Sequence, residues 1–402
     1  MAYDRVVRVL VVGSGGREHA LVWALSRSAA LDELHAAPGN PGIAALAQCH
    51  PVRPEDQAAV VSLARELRID LVVVGPEAPL VAGLADELRR RGVAAFGPSA
   101  AAARIEGSKS FAKDVMKVAG VPTAATLPVA KPPCVVKADG LAAGKGVWVC
   151  RTQQELDSAL RAAQAFGQPF HVEELLEGPE LSVFALAAGG TAVALPPARD
   201  YKRVGDGDSG PNTGGMGSFS PLSDVPDEDA EEVLELVHRP VLRELAARGA
   251  PFHGLLYAGL MRTADGLRVI EFNCRFGDPE TQSLLPRLEG DLLPLLAGDP
   301  PRAPQVSTRA AVTVVLAGRD YPERGDSGTP IDGVEEAEAG GALVLHAGTA
   351  LHAGRLVTNG GRVLDVVGLG GTVAEARTAA YAAAARIDFA GMQYRSDIAA
   401  NA

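Results

Sequence analysis

Four segments of this chain carry residue types whose spacing can do chemistry. Val135-Val136-Lys137-Ala138-Asp139-Gly140-Leu141-Ala142-Ala143-Gly144-Lys145-Gly146-Val147 sets two lysines around a glycine-rich turn. It is not a P-loop: three residues separate Gly140 from Gly144, Gly146 stands where Ser or Thr would hold Mg2+, and a strand follows where a helix is needed. It reads instead as a β-hairpin whose tip closes over ATP phosphates. Lys137 touches them from a strand end and Lys145 from the tip. Val269-Ile270-Glu271-Phe272-Asn273-Cys274-Arg275 is a strand whose alternation puts Glu271, Asn273 and Arg275 on one face. A carboxylate and an amide oxygen are hard ligands suited to Mg2+, and Arg275 can offset charge on a transferring phosphoryl group. In His171-Val172-Glu173-Glu174-Leu175-Leu176-Glu177-Gly178-Pro179-Glu180, the backbone reads as a hinge against adenine. Glu180 there can accept ribose hydroxyls. Gly13-Ser14-Gly15-Gly16-Arg17-Glu18-His19 lies between a strand run and a helix pattern, a place where backbone N–H groups meet an anion. A dinucleotide fingerprint fails because Glu18 takes the third glycine position, and the next strand runs into Pro38-Gly39-Asn40. A phosphate of a smaller ligand and a purely structural turn both stay open. His19 reads as a helix residue satisfied locally.

These residues need a scaffold. Residues 8–100 alternate strand and helix, which implies a parallel sheet covered on both faces. After residue 100 the pattern becomes α+β. A helix is expected over 108–119, a helix opened by the capping box Thr152-Gln153-Gln154-Glu155, strands over 171–176, 181–187 and 191–196, and a long helix over 227–248. An antiparallel pair is expected around Asp265-Gly266, and a hairpin across Asn359-Gly360. The expected domains are 1–102, 103–304 with a lid lobe at about 121–188, and 305–402.

Composition narrows the class. With 402 residues the chain exceeds one ordinary core. A net charge of −11 argues against nucleic acid as a main partner. No apolar run is long enough to span a membrane, and Met1-Ala2-Tyr3-Asp4-Arg5 carries no leader pattern. A cytoplasmic protein is therefore expected, as a monomer or weak homodimer. Cys49, Cys134, Cys150 and Cys274 fit neither a zinc site nor a disulfide framework. Lysine is scarce, seven against thirty-one arginines, so lysines in glycine-rich or strand-end settings point to phosphate.

Taken together these segments resemble the ATP-grasp superfamily. Within it they resemble the phosphoribosylamine–glycine ligases, also called glycinamide ribonucleotide synthetases. Further strings carry the resemblance: Val74-Gly-Pro-Glu-Ala-Pro-Leu80, Gly107-Ser-Lys109, Lys202 through Gly217, Glu271 through Gln282, and His346-Ala-Gly-Thr349. The resemblance implies a Rossmann-like N-terminal sheet, central ATP-grasp domains and a small mixed C-terminal domain. It implies ATP and Mg2+ or Mn2+ as cofactors, with glycine and 5-phosphoribosylamine joined through glycyl phosphate. It also implies roles. Glu271 and Asn273 would hold the metal. Lys109, Lys137 and Lys145 would contact phosphates, and Glu173, Glu174, Leu175 and Glu180 the adenosine. Gly15, Gly16 and Asn40 would contact the phosphoribosyl group. Arg275, Lys145 and Asp206 would serve catalysis, the last from the glycine-rich loop. The chain departs from the pattern by a short segment before His171 and by Ser209 in place of Thr.

Another ATP-grasp ligase would share the metal strand but lack the Gly13–His19 and Asp206–Gly217 strings. A non-catalytic nucleotide-binding protein would tolerate loss of Glu271, Asn273 or Arg275, yet all three are present. Glu271→Ala is expected to abolish metal-dependent turnover while leaving the circular-dichroism spectrum unchanged. Near-normal turnover in that variant refutes the metal assignment.

Overall fold

The computed structural model describes residues 6–141, 146–227, 229–298 and 301–402. Lys145, expected at the lid tip, lies outside the described residues. The N-terminal strands β1 (Val7–Gly13), β2 (Leu31–Pro38), β3 (Gln48–Cys49), β4 (Leu71–Val74) and β5 (Ala94–Phe96) form the expected parallel sheet, ordered β3-β2-β1-β4-β5. Apolar residues fill β1 and β4 because helices bury both faces of such a sheet. The order reverses beside β1, so the Gly13–Gly16 turn and the Gly75 turn open at the same crevice. After β4 the chain forms two short helices, Glu77–Val81 and Leu84–Arg90, separated where Gly83 adopts a left-handed φ of 94°.

The lid lobe is a three-stranded sheet of β6 (Cys134–Ala138), β7 (Val147–Cys150) and β8 (Phe170–Glu174), covered by the helix Gln153–Ala165. It has a small apolar core of its own around Val136, Leu156, Ala159 and Val172. The lobe was expected to reach residue 188. Instead β9 (Glu180–Ala188) joins a second sheet with β10 (Thr191–Asp200).

That sheet runs through the rest of the chain. β11 (Arg203–Gly205) and β12 (Ser209–Asn212) make a side hairpin, and β13 (Gly217–Ser220), β14 (Gly254–Thr263) and β15 (Gly266–Asn273) continue the body. After a short pair, β16 (Leu288–Glu289) and β17 (Gln305–Val306), comes β18 (Ala310–Ala317), which is wholly buried. It is followed by β19 (Asp326–Pro330), β20 (Leu343–His346), β21 (Thr349–His352), β22 (Arg355–Gly360) and β23 (Arg362–Gly370). The order β15-β14-β9-β10-β13-β18-β23-β20 makes the C-terminal strands an extension of the central sheet rather than a separate one, through β13 on β18.

Two further expectations change. No hairpin closes across Asn359-Gly360: β22 pairs with β19 and β21, while β23 pairs with β18 and β20. The chain passes between two sheets there, because Asn359 sits opposite Ser327 and its N–H bonds to Gly348. The helix expected over 227–248 contains a π turn at Leu234–His238, where Arg239 N–H reaches Leu234. Pro240 lacks the N–H that would continue the regular ladder.

A chain ending at residue 309 would leave β13 as an open edge and expose the apolar face that β18 covers. Such a fragment is expected to aggregate on expression. A monodisperse, cooperatively unfolding fragment in size-exclusion chromatography and denaturant titration contradicts this account of the sheet.

Candidate active site

The site begins with a carboxylate under the lid. The β6–β8 register sets Lys137 opposite His171, so Glu173, two residues on, projects from the same face. Its Oε2 accepts from Lys137 Nζ at 2.7 Å, and its Oε1 meets Lys113 Nζ and His171 Nε2, each at 2.9 Å. Burial works against the charge on Glu173, but His171, Lys137 and Lys113 hold its pKa down at about 2. Glu173 was expected to touch adenosine; the structure instead occupies both its oxygens with cations. Lys137 also donates to the Ile270 carbonyl at 3.1 Å, which brings the lid strand beside Glu271. Lys109 has its ammonium 3.1 Å from the Gly140 carbonyl, and Glu271 and Lys137 are its charged neighbours. Burial lowers its pKa first, with Glu271 opposing. Asp139 joins the lid to this helix: it accepts from Lys109 N–H at 2.6 Å and from the hydroxyl of Ser110. Glu174 accepts from Ala125 N–H at 2.7 Å and closes the hinge, while Leu175 is half-buried just beyond β8.

Glu271 and Asn273 lie two residues apart on β15, the sheet's edge strand. The Asn273 amide has no hydrogen-bond partner among the described residues. Facing them is Lys202, for which sequence reasoning assigned no role. Its ammonium is 2.7 Å from Glu180 Oε2, 3.7 Å from Asp200 and 4.0 Å from Glu271. Burial opposes that charge, but Asp200 and Glu180 keep the lysine protonated. Asp200 is raised by burial and by Glu280, Glu180 and Glu271, with Lys202 opposing. Among the described residues no group of three or more His, Cys, Asp or Glu is arranged to hold a metal ion, so the donor set for a hard divalent ion here is the Glu271 carboxylate with the Asn273 amide oxygen. Two protein ligands suit Mg2+, which takes its remaining oxygens from phosphates and water. The scarcity of lysine was the signal that could have found Lys202 and Lys113.

Arg275 leaves this strand toward the N-terminal unit. It meets Glu106 at 3.0 Å and Glu77 at 3.3 Å, and it donates to its neighbour's carbonyl, Phe276, at 3.2 Å. The guanidinium that was expected to face the acyl phosphate is thus already balanced by two carboxylates, and it clamps the end of β15 to the helices Glu77–Val81 and Ala100–Gly107. At the Gly13–Gly16 turn, Gly15 N–H donates to Glu18 Oε2 at 2.7 Å, and Glu18 Oε1 accepts from Arg17 at 2.7 Å. This is why glutamate replaces the third glycine of a dinucleotide turn. Asn40 donates to the Ser14 and His346 carbonyls at 2.8 and 2.7 Å and accepts from Ile43 N–H at 2.9 Å. Its amide therefore holds the turn against the C-terminal strands. His19 accepts from His346 N–H at 2.7 Å, and burial, then His346, lowers its pKa to about 3.

The structure does not bring Asp206 into this cleft. Both its oxygens accept from Ser396, by the backbone N–H at 2.8 Å and by the hydroxyl, while Gly207 N–H donates to Asp397 at 2.8 Å. The β11–β12 tip is docked on the chain's last segment. Asp278, Gln282, Arg362 and Asp365, which also received no role, meet beside Gly15 and Gly16. Gln282 donates to Asp278 at 2.7 Å and Asp365 at 2.8 Å, and Arg362 pairs with Asp278 at 2.6 Å. No local pattern pointed to Asp365, which lies mid-strand in an apolar run.

Family models of phosphoribosylglycinamide synthetase match this chain in three parts: the N domain over residues 7–106, the ATP-grasp (A) domain over 107–281 and the C domain over 311–401. A phosphoribosylamine–glycine ligase of Mesorhizobium japonicum is 50% identical over 98% of this chain and 97% of its own. One from Leifsonia xyli is 51% identical, covering 98% and 100%. The crystal structure of a phosphoribosylamine–glycine ligase from Thermotoga maritima superposes with a TM-score of 0.83 at 35% identity, covering 98% of this chain and all of that one. The biotin carboxylase domain of a Hydrogenobacter thermophilus 2-oxoglutarate carboxylase shares the fold, with a TM-score of 0.72 at 18% identity over 97% and 92% of the two chains.

The depressed Glu173 pKa carries a stability signature. A carboxylate lowered from 4.5 to about 2 contributes stability above the unfolded value, and that contribution is lost as pH falls from 4.5 toward 2. In urea titrations the advantage of the parent protein over Glu173→Gln is expected to be full at pH 7 and smaller by about 1 kcal/mol at pH 4. An advantage that does not change with pH removes the charge argument.

Proposed function

This chain belongs to the phosphoribosylglycinamide synthetase family, and from that premise we propose how its residues perform the ATP-dependent ligation of glycine to 5-phosphoribosylamine. The observation that carries the reading is the gathering of three lysines along β15: Lys202 lies 4.0 Å from Glu271, Lys109 has Glu271 as a charged neighbour, and Lys137, paired with Glu173, donates to the adjoining Ile270 carbonyl. Three ammonium groups at one carboxylate edge make a site for a triphosphate.

A carboxylate is a poor acyl donor because its leaving group would be oxide. In the first step a glycine carboxylate oxygen bonds to the γ-phosphorus of ATP as the bond from that phosphorus to the β,γ-bridging oxygen breaks. ADP leaves, and glycyl phosphate forms. In the second step the amine of phosphoribosylamine bonds to the glycyl carbonyl carbon, the bond from that carbon to the phosphate oxygen breaks, and the nitrogen loses a proton to solvent. Amide, ADP and phosphate result. No covalent protein nucleophile is required. Lys137 and Lys109 offset charge on the phosphates, and Lys202 is placed to follow charge from Glu180 and Glu271 to the transferring group. Glu173 keeps Lys137 and Lys113 in register, and Arg275 carries positive charge at the end of the metal strand. Glu271 and Asn273 would hold Mg2+ or Mn2+, which would supply Lewis-acid stabilisation of phosphate charge. Lys145 belongs to the same reading as the lid-tip phosphate contact. Glu174, Leu175 and Glu180 line the adenosine side, and Gly15, Gly16 and Asn40 the phosphoribosyl side.

The reading extends to a cytoplasmic enzyme acting as a monomer or weak homodimer on small molecules. Supporting it, no described helix is long and apolar enough to cross a membrane, and three of the four free cysteines are buried. ADP release at the full rate is expected only when ATP, glycine and phosphoribosylamine are all supplied. Full turnover without phosphoribosylamine, or equal turnover with unrelated amines, rejects this function in favour of another ATP-grasp ligase.

A further inference from the structure

Beside Gly15 and Gly16 the mechanism leaves a polar cluster without a use. Asp365 lies mid-way along β23, flanked by Leu364 and Val366, and it is 1% exposed. Gln282, at the start of the helix Glu280–Leu284, is fully buried. Its amide N–H groups both donate, one each to Asp278 Oδ1 and Asp365 Oδ2. The opposite atoms, Asp365 Oδ1 and Gln282 Oε1, are buried with no hydrogen bond among the described residues. Two buried acceptors without donors are unfavourable unless a ligand brings the donors.

The surroundings say which part of a ligand this is. Asp365 presses on the glycine-rich turn: a Cβ on Gly16 would lie 1.7 Å from Asp365 Oδ2, and one on Gly15 3.9 Å from Asp278 Oδ2. Gly15 N–H is already bonded to Glu18. The turn therefore faces three carboxylates, Glu18, Asp278 and Asp365. Arg17 and Arg362 accompany them, each bonded within the cluster. With Glu18 and Asp278 each paired to an arginine, the two unpartnered oxygens make this corner a receiver of hydroxyl or amine donors. Carboxylates accept ribose hydroxyls in dinucleotide folds too, there from a residue about twenty positions past the glycine-rich turn.

We propose that Asp365, with Gln282, forms the acceptor pair that holds the ribose hydroxyls of phosphoribosylamine over Gly15 and Gly16, so that the C-terminal strands supply a specificity residue for the second substrate. The proposal deepens the ligase reading and rests on it. It gives the phosphoribosyl contact at this turn to the sugar.

The test compares phosphoribosylamine with the amines formed in place from ammonia and 2-deoxy- or 3-deoxyribose 5-phosphate. The parent protein is expected to use at least one deoxy amine less well, by roughly a hundredfold or more in kcat/KM. Asp365→Asn should raise KM for phosphoribosylamine and shrink that discrimination, while KM for ATP and glycine stays unchanged. Hydroxylamine, which intercepts glycyl phosphate as glycine hydroxamate, should give the same yield with parent and variant. Equal use of both deoxy amines by the parent overturns the proposal. So does a variant that loses all three substrates together with its melting temperature, which marks a structural role only. If the parent forms no hydroxamate and no ADP, the ligase reading itself fails, and the proposal falls with it by a separate observation.

Discussion

Two ammonium groups, Lys113 and Lys137, stand within 3 Å of one carboxylate, Glu173, beneath the lid. Without that carboxylate their mutual repulsion, in partly buried surroundings, would push one lysine away or strip its proton. With it, the lid strand carries positive charge to the Ile270 carbonyl and thus to Glu271. The same logic recurs one layer out. Lys202 is kept charged by Glu180 and Asp200, and Arg275 by Glu106 and Glu77. A phosphate-binding site needs excess cation. A folded protein tolerates that excess only where acidic side chains hold each cation in place until the ligand arrives.

These pairs also do the joining between parts of the chain. Asp139 in the lid caps the helix that begins at Lys109. Arg275 ties the end of β15 to Glu77 and Glu106 of the N-terminal part. Asn40 and His19 fasten the glycine-rich turn to His346, and Asp206 fastens the side hairpin to Ser396. Several residues that look like ligand contacts in isolation are therefore positioning residues. The C-terminal strands, continuous with the central sheet through β13 and β18, are carried to within contact of Gly16.

The sequence by itself determined the parallel N-terminal sheet, the lid strands around Lys137, and the strand that puts Glu271 beside Asn273. Periodicity and glycine placement are local properties, and each of these elements is built from neighbours in the chain. The lysines proposed to meet phosphates stood out for a related reason, because a rare residue type fell in glycine-rich and strand-end settings. Only the tertiary structure decided what those groups face. It gave Glu173 to lysines rather than to a nucleoside, drew Asp206 to Ser396, and split β22 from β23 where an Asn-Gly turn suggested a hairpin. It also brought Lys202, Gln282 and Asp365 to sites that no spacing announced. Hydrogen bonds and ion pairs act over about 3 Å, and partners such as Gln282 with Asp365, 83 residues apart, or Asn40 with His346, 306 residues apart, become neighbours only when the sheets that carry them are packed.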